Sequence, residues 1–489
     1  MAGIRKALLY TSLERYSNLA VNFLVVAAVS RLLSPAEIGV SAFGVAVWVS
    51  VEVLRDIPSS YLVQQKDLSR EDIRTAFTVM ALISLAAVFV LIGSSAAIAR
   101  LYDDPRLAAY LQVFALALLP GSFERPIMAL FRRDMAFGPF AAVNVVTVLT
   151  NAAVTISLAF LGFGYMSFAW AALASSLACA ALAIYFRPDF GVFRPHLAHW
   201  RRALRFGGTT AACSGLLQAV DMVPYIVLSR AFAFDAVGFY NRALLVSQSP
   251  NKLVLSGLSP VILPALASHA RDGHDLKPPF LLAVSHISAV HWPAYLLLTL
   301  LAHPAVAILI GPQWFSIVPL VQIVALAMLA SFASILIYPA LMAVAALRHL
   351  LLWHLFAMPA CIAISGTAAL FGPAVLAASL LVTVPLQNAV GLYFVRRHAA
   401  FTWREFAGAT GKSAVIALAT IAVPGAYIAS HGFTFAIPIA TAIALGFGGV
   451  LGWGTGVWLT RHPLRDEMLL AFGALRRRLR REEAAGIDG

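Results

Sequence analysis

A chain of 489 residues that is 61% hydrophobic and only 12% charged is not an ordinary soluble globule, of which about a quarter would be charged. Apolar runs of about 20 residues recur from end to end, with no polar segment long enough to fold alone, so the chain reads as a polytopic membrane protein. A net charge of +13 would suggest nucleic acid as the partner of a soluble protein; spread over alternate connections of a membrane protein it excludes that reading.

In chain order, the first apolar segment is interrupted by Glu14 and Arg15, which argues against a cleavable signal peptide. About fourteen spans follow from apolar windows bounded by charge, Gly or Pro: 8–31, 38–63, 75–99, 106–131, 138–161, 165–186, 203–229, 237–266, 279–303, 317–346, 350–371, 373–395, 411–430 and 434–460. Segments this apolar must satisfy their own backbone groups, so all are expected to be helices. Lysines and arginines crowd alternate connections from Arg5 and Lys6 to Arg461, while the opposite set holds only Arg31, Arg100, Arg106 and Arg230. That asymmetry places both termini on the cytoplasmic side of the membrane. Cys179, Cys213 and Cys361 lie inside apolar segments with no metal spacing, and no metal or cofactor is implied. In the tail, Leu464, Met468, Phe472, Leu475 and Leu479 fall at helical spacing opposite Arg476, Arg477, Arg478, Arg480 and Arg481. This pattern suits an amphipathic helix on the anionic inner leaflet, or equally a solvated positive tail.

An internal repeat organises the rest. Ser30-Arg31 with Gly39 is matched by Ser229-Arg230 with Gly238, a shift of 199, and the same shift sets Asn22 on Asp221 and Glu52 on Asn251. Gly164, Ala169, Tyr185 and Phe186 match Gly372, Ala377, Tyr393 and Phe394 at a shift of 208. The expected fold is an all-α integral membrane protein with two six-helix lobes, 1–200 and 201–400. Two additional spans follow in 401–462, then a cytoplasmic basic tail, 463–489. An even number of spans per copy gives a pseudo-two-fold along the membrane normal.

Charges within the spans are the candidate functional residues, because each costs about 2.5–3.5 kcal/mol at the centre of a lipid-facing helix. Glu14, Arg15, Asn18 and Asn22 share a face of span 1; Glu52, Arg55 and Asp56 share one of span 2; Gln218 and Asp221 align in span 7, and Arg242 and Lys252 in span 8. These four polar faces imply a hydrated cavity. Glu14 with Arg15, and Glu124 with Arg125, are open to a structural pairing. Arg242 and Lys252 have no carboxylate near them in sequence, which favours a ligand role. Asp221 suits a counter-ion, a proton or sodium site, or a helix–helix hydrogen bond. No Gly-rich phosphate loop, metal motif or catalytic constellation is present in the sequence, which weighs against an enzyme.

Several stretches carry a family resemblance: Thr11-Ser12-Leu13, Asn22-Phe23, Ser30 through Gly39, Gly162-Phe163-Gly164-Tyr165, Val237 through Ala243, and Ile262-Leu263-Pro264-Ala265-Leu266. Together they resemble the Wzx-type flippases, the polysaccharide-transport branch of the multidrug/oligosaccharidyl-lipid/polysaccharide exporter superfamily. The resemblance implies an alternating-access carrier that moves a polyprenyl-diphosphate-linked oligosaccharide from the inner to the outer leaflet, for exopolysaccharide or lipopolysaccharide assembly. It implies membrane lipids and a polysaccharide polymerase or co-polymerase as partners. Arg15, Arg55, Arg242 and Lys252 are then the expected pyrophosphate ligands, among the polar groups Glu14, Glu52, Asp56, Asn18, Asn22 and Gln218, with Asp221 as the ion-coupling candidate. A cation-coupled multidrug exporter of the same superfamily and a membrane enzyme of polysaccharide assembly are the alternatives.

Overall fold

The computed structural model describes residues 2–469 apart from Lys66, His199 and Gly273; side chains at 2–16, 202–203, 205–213, 253–261 and 264–265, and those of Ser60 and Gln64, lie outside the description. All regular structure among the described residues is helical. Twelve helices among them are long and apolar enough to cross a membrane, and the chain is a multi-pass membrane protein. The other two expected spans are also helical: α1 (Ala2–Leu32), whose described apolar part is Ser17–Leu32, and the more polar α9 (Ser249–Arg271). Most of the basic tail, from Leu470 on, lies outside the described residues.

The chain packs as two units. The first comprises Met1–Arg242, Leu309–Ile317 and His354–Ser379; the second comprises Ala243–Ile308, Val318–Trp353 and Leu380–Gly489.

In the first unit, α2 (Pro35–Gln64) starts on a capping box. The Ser34 hydroxyl accepts from the Glu37 amide, and the Glu37 carboxylate accepts from the Ser34 amide at 2.9 Å. Such a box satisfies backbone donors that the first helical turn leaves without partners. Ser69 and Asp72 repeat it at the start of α3 (Arg70–Leu101), where Asp72 also accepts from the Tyr61 hydroxyl at 2.8 Å and ties α3 to the end of α2. The fourth span divides into α4 (Arg106–Leu116) and α5 (Leu118–Arg133). Pro120 has no N–H to give the Leu116 carbonyl, and the helix breaks there. Next come α6 (Phe137–Phe160), α7 (Met166–Phe186) and α8 (Trp200–Ser247).

α8 is interrupted at Ala233, whose φ of 62° and ψ of 178° are not helical. The shift of 199 sets Ala233 on Ser34, Phe234 on Pro35 and Gly238 on Gly39. The matched positions meet crosswise. A Cβ on Gly39 would overlap the Phe234 carbonyl oxygen, and a Cβ on Gly238 would overlap that of Pro35. Each repeat thus supplies the glycine that admits the other's backbone. Nearby, the carbonyl of Ser30, in the last turn of α1, accepts from the indole of Trp314 at 2.7 Å and from the amide of Gln313. Both donors reach an acceptor that the end of a helix leaves open.

The second unit is built on α10 (Lys277–Leu300), which follows α9. Beyond α11 (Ala302–Leu309), α12 (Val318–Met328) gives way to a 3-10 turn before α13 (Ser334–Ala343). Consecutive side chains of α10 staple that break, His291 donating to the Met328 carbonyl and Trp292 to that of Leu329, both at 2.9 Å. α14 (Leu347–Ala369) and α15 (Pro373–Ala399) precede α16 (Trp403–Ser430) and α17 (Ile439–Leu459). Gly452 and Gly456 of α17 lie against the backbone of Ala419 and Ile416 in α16, a small-residue contact of the kind that brings membrane helices close.

Just past α17, His462 is 1% exposed. Its Nδ1 accepts from the Leu464 amide at 3.2 Å, so the proton sits on Nε2, which donates to the Ser285 hydroxyl at 2.8 Å. Burial, reinforced by His286 and Lys412, pushes its pKa down to about 4.

Two outcomes are expected. Gly39→Ala and Gly238→Ala should each lower the unfolding temperature of the purified protein by several degrees, since a backbone carbonyl cannot swing aside as a side chain can; an unchanged melt for either would contradict the crossing. For His462, the unfolded chain binds the proton first, so its contribution is complete above about pH 6.5 and declines as the pH falls toward about 4. The stability difference between wild type and His462→Asn should shrink over that interval and stay constant above it.

Candidate functional site

Helical spacing puts Glu52, Arg55 and Asp56 on one face of α2, and α5 lies along it. Arg55, 1% exposed, donates to Glu52 at 2.5 Å one turn away. Glu52 also pairs with Arg125 of α5, whose other guanidinium nitrogen reaches Asp56 at 2.6 Å. Glu124 stands near Arg55 and near the Cys179 thiol of α7. Adjacent on a helix, Glu124 and Arg125 point about 100° apart, and each finds its partner elsewhere. Arg132 of α5 also acts on Asp56 and Arg125, so three carboxylates stand with three guanidiniums.

The cluster lines a cavity of about 390 Å³ inside the first unit. Its remaining polar lining is Thr147 and Asn151 of α6 and Ser175 and Ser176 of α7; its apolar lining includes Trp48, Phe114 and Phe168. The Asn151 amide donates to Ser175 at 3.3 Å. The sequence gives this wall little signal: Thr147 and Asn151 stand one turn apart among other polar residues of α6, Asn144, Thr150, Thr155 and Ser157, and the charges alone do not point to it. Arg55 keeps two donors, Nε and one terminal nitrogen, buried with no hydrogen-bond partner.

The other expected site residues fall elsewhere. Asn22 is exposed and donates to the Asn18 carbonyl at 2.7 Å, a bond within α1. The side chains of Glu14 and Arg15 lie outside the described residues. In α8, Gln218 is half-buried, Asp221 is exposed and Arg242 is 4% exposed with Nε buried and without a partner. Beside Arg242 stands Tyr225, whose hydroxyl accepts from Asn241 at 3.2 Å. Lys252 in α9 belongs to the second unit and is exposed. Among the described residues, neither Arg242 nor Lys252 has a carboxylate within ion-pair distance. No group of three potential metal ligands is found among the described residues either.

The chain matches the family described as "Polysaccharide biosynthesis protein" over residues 28–319, more than half its length. It is 23% identical over 305 residues to the lipopolysaccharide biosynthesis protein WzxC of Escherichia coli, covering 60% of each chain. It is 24% identical over 327 residues to the succinoglycan biosynthesis transport protein ExoT of Rhizobium meliloti, covering 65% of this chain and 64% of that one. These matches therefore span less than two thirds of either relative. Among solved structures, the lipid II flippase MurJ in an inward closed conformation superposes with a TM-score of 0.72 at 14% identity, over 94% of this chain and 99% of that one. An inward-facing MATE family multidrug transporter gives 0.57 at 12% identity, over 81% and 98%. The fold is the one these two structures share.

Removing the acceptor common to both arginines is expected to be costly. Glu52→Ala should destabilise by about 3 kcal/mol, the low end for a broken buried pair because the residue is 15% exposed. In a double-mutant cycle with Arg125→Ala, read by reversible unfolding in mixed micelles, the coupling should be about 1 kcal/mol or more; strict additivity would show that the two side chains do not interact.

Proposed function

Because the chain belongs to the polysaccharide biosynthesis protein family, we propose that it is a flippase. It carries a polyprenyl-diphosphate-linked oligosaccharide from the inner to the outer leaflet by alternating access, and it is a carrier and not an enzyme. The supporting observation is Arg242, a guanidinium 4% exposed with no carboxylate partner among the described residues. A buried cation without a counter-ion is expensive to maintain, and a phosphate offers its planar fork two acceptors at once.

In this reading Arg242 is the principal pyrophosphate ligand, with Lys252 and Arg15 as further cations, while Arg55 is committed to its carboxylates. Residues 1–200 and 201–400 are the two lobes, 401–462 the added pair of spans, and 463–489 a basic tail on the cytoplasmic leaflet, where both termini lie. The inside-negative potential favours outward passage of an anion by about 2.3 kcal/mol per charge per 100 mV, and Asp221 is the candidate for ion coupling. A polysaccharide polymerase or co-polymerase would receive the delivered glycan.

One observation favours a second reading. The carboxylates Glu52, Asp56 and Glu124 gathered in the first unit suit a cation-coupled small-molecule exporter, which would leave the leaflet distribution of lipid-linked glycan unchanged on deletion.

The deciding measurement is that distribution: cells lacking the chain should hold the lipid-linked oligosaccharide on the cytoplasmic leaflet, and an unchanged outer-leaflet pool would refute the proposal. Arg242→Ala combined with Lys252→Ala should abolish polymer export with normal membrane insertion, whereas Arg242→Lys should retain part of it.

A further inference from the structure

We infer that the cavity of the first unit is a binding subsite for a neutral pyranose ring of the carried glycan; the inference rests on the flippase reading above. At about 390 Å³ the cavity lies within the range of about 300–1,000 Å³ usual for small-molecule sites. Its wall has two chemistries that a sugar ring needs together. The aromatic side chains are Trp48, tilted against Phe114 with ring centroids 4.9 Å apart, and Phe168. The electron-rich face of an aromatic ring attracts the weakly positive C–H groups that cover one side of a pyranose. Opposite chemistry comes from the ion-pair network and the amide and hydroxyl groups.

Neighbouring sugar hydroxyls each donate and accept, so they suit a wall holding fixed donors and fixed acceptors side by side. Arg55 brings two buried donor nitrogens without a partner, and Glu52 and Glu124 line the same cavity as acceptors. Asn151 donates to Ser175 through its amide nitrogen, which leaves its carbonyl as a further acceptor. The charge balance selects among sugars. Glu52 and Glu124 balance Arg55 and Arg125 in the lining, so the wall has no charge to spare for a uronate or an ammonium group and suits a neutral ring. The pyrophosphate is likewise excluded from this cavity, so Arg242 and the sugar subsite divide the carried molecule by charge.

The test is saturation-transfer NMR of free glucose, glucosamine and glucuronate at millimolar concentration with the purified full-length protein. Glucose should receive saturation on its ring protons. The glucosamine and glucuronate signals should be weaker by roughly three- to tenfold, the worth of about one neutral hydrogen bond, since neither charge meets a free counter-ion in the cavity. Trp48→Ala and Asn151→Leu should reduce the glucose signal by a similar factor, with Trp48→Phe retaining most of it. Equal signals from glucuronate and glucose would overturn the inference, as would an undiminished signal in a monodisperse Asn151→Leu protein; that variant removes no aromatic packing, so it remains informative if Trp48→Ala misfolds. A cavity that takes only protons or cations gives no sugar signal. No signal beside normal leaflet transfer in cells sinks the subsite alone, while a signal beside unchanged leaflet distribution sinks the flippase reading and leaves the subsite standing.

Discussion

Glu52 accepts from two guanidiniums, one from its own helix and one from α5, and the arrangement of the first unit depends on that sharing. An arginine in a membrane span must meet an anion or water. Arg55 and Arg125 compete for one carboxylate, so α2 and α5 must run close along that face, and Asp56 completes the coordination of Arg125. Gly121 is part of the same solution: a Cβ there would collide with the Arg55 guanidinium. The small residue on α5 is the space into which the α2 arginine folds.

The same requirement governs the backbone. At two places where a span breaks or ends, side chains from elsewhere in the same unit arrive at the freed group. Trp314 and Gln313 meet the Ser30 carbonyl at the end of α1, and His291 and Trp292 meet the carbonyls where α12 loosens. Tryptophan is apt for this role, since one N–H rides on a ring that otherwise packs as hydrocarbon. Breaks in these helices are therefore held positions with specified partners.

Much of the fold was legible in the sequence because a membrane leaves the chain few options. Length and apolarity give the spans, and the Ser30/Gly39 and Ser229/Gly238 markers give a repeat whose matched positions touch in three dimensions. The divided span at Ala117 was not legible as two helices, although Pro120 signals a break. Ion-pair partners were less legible. Glu52 and Arg125 are 73 positions apart, and proximity along the chain favoured Glu124 with Arg125, whose side chains diverge around the helix. Polar groups that line a cavity without charge, such as Asn151 and Ser176, carry no periodic signal strong enough to single them out. Recognising them required α6 and α7 to be placed beside α2 and α5.

The crossed glycines make two contacts of the same kind that can be changed one at a time. Gly39 faces the Phe234 carbonyl and Gly238 faces that of Pro35, positions related by the shift of 199. Within one chain a change at either glycine leaves the other contact in place, so one turn can be rebuilt while its counterpart holds the crossing. The two turns already differ: the first is closed by the Ser34–Glu37 box, while at the matching Ala233 and Ala236 the second has no side chain able to form one.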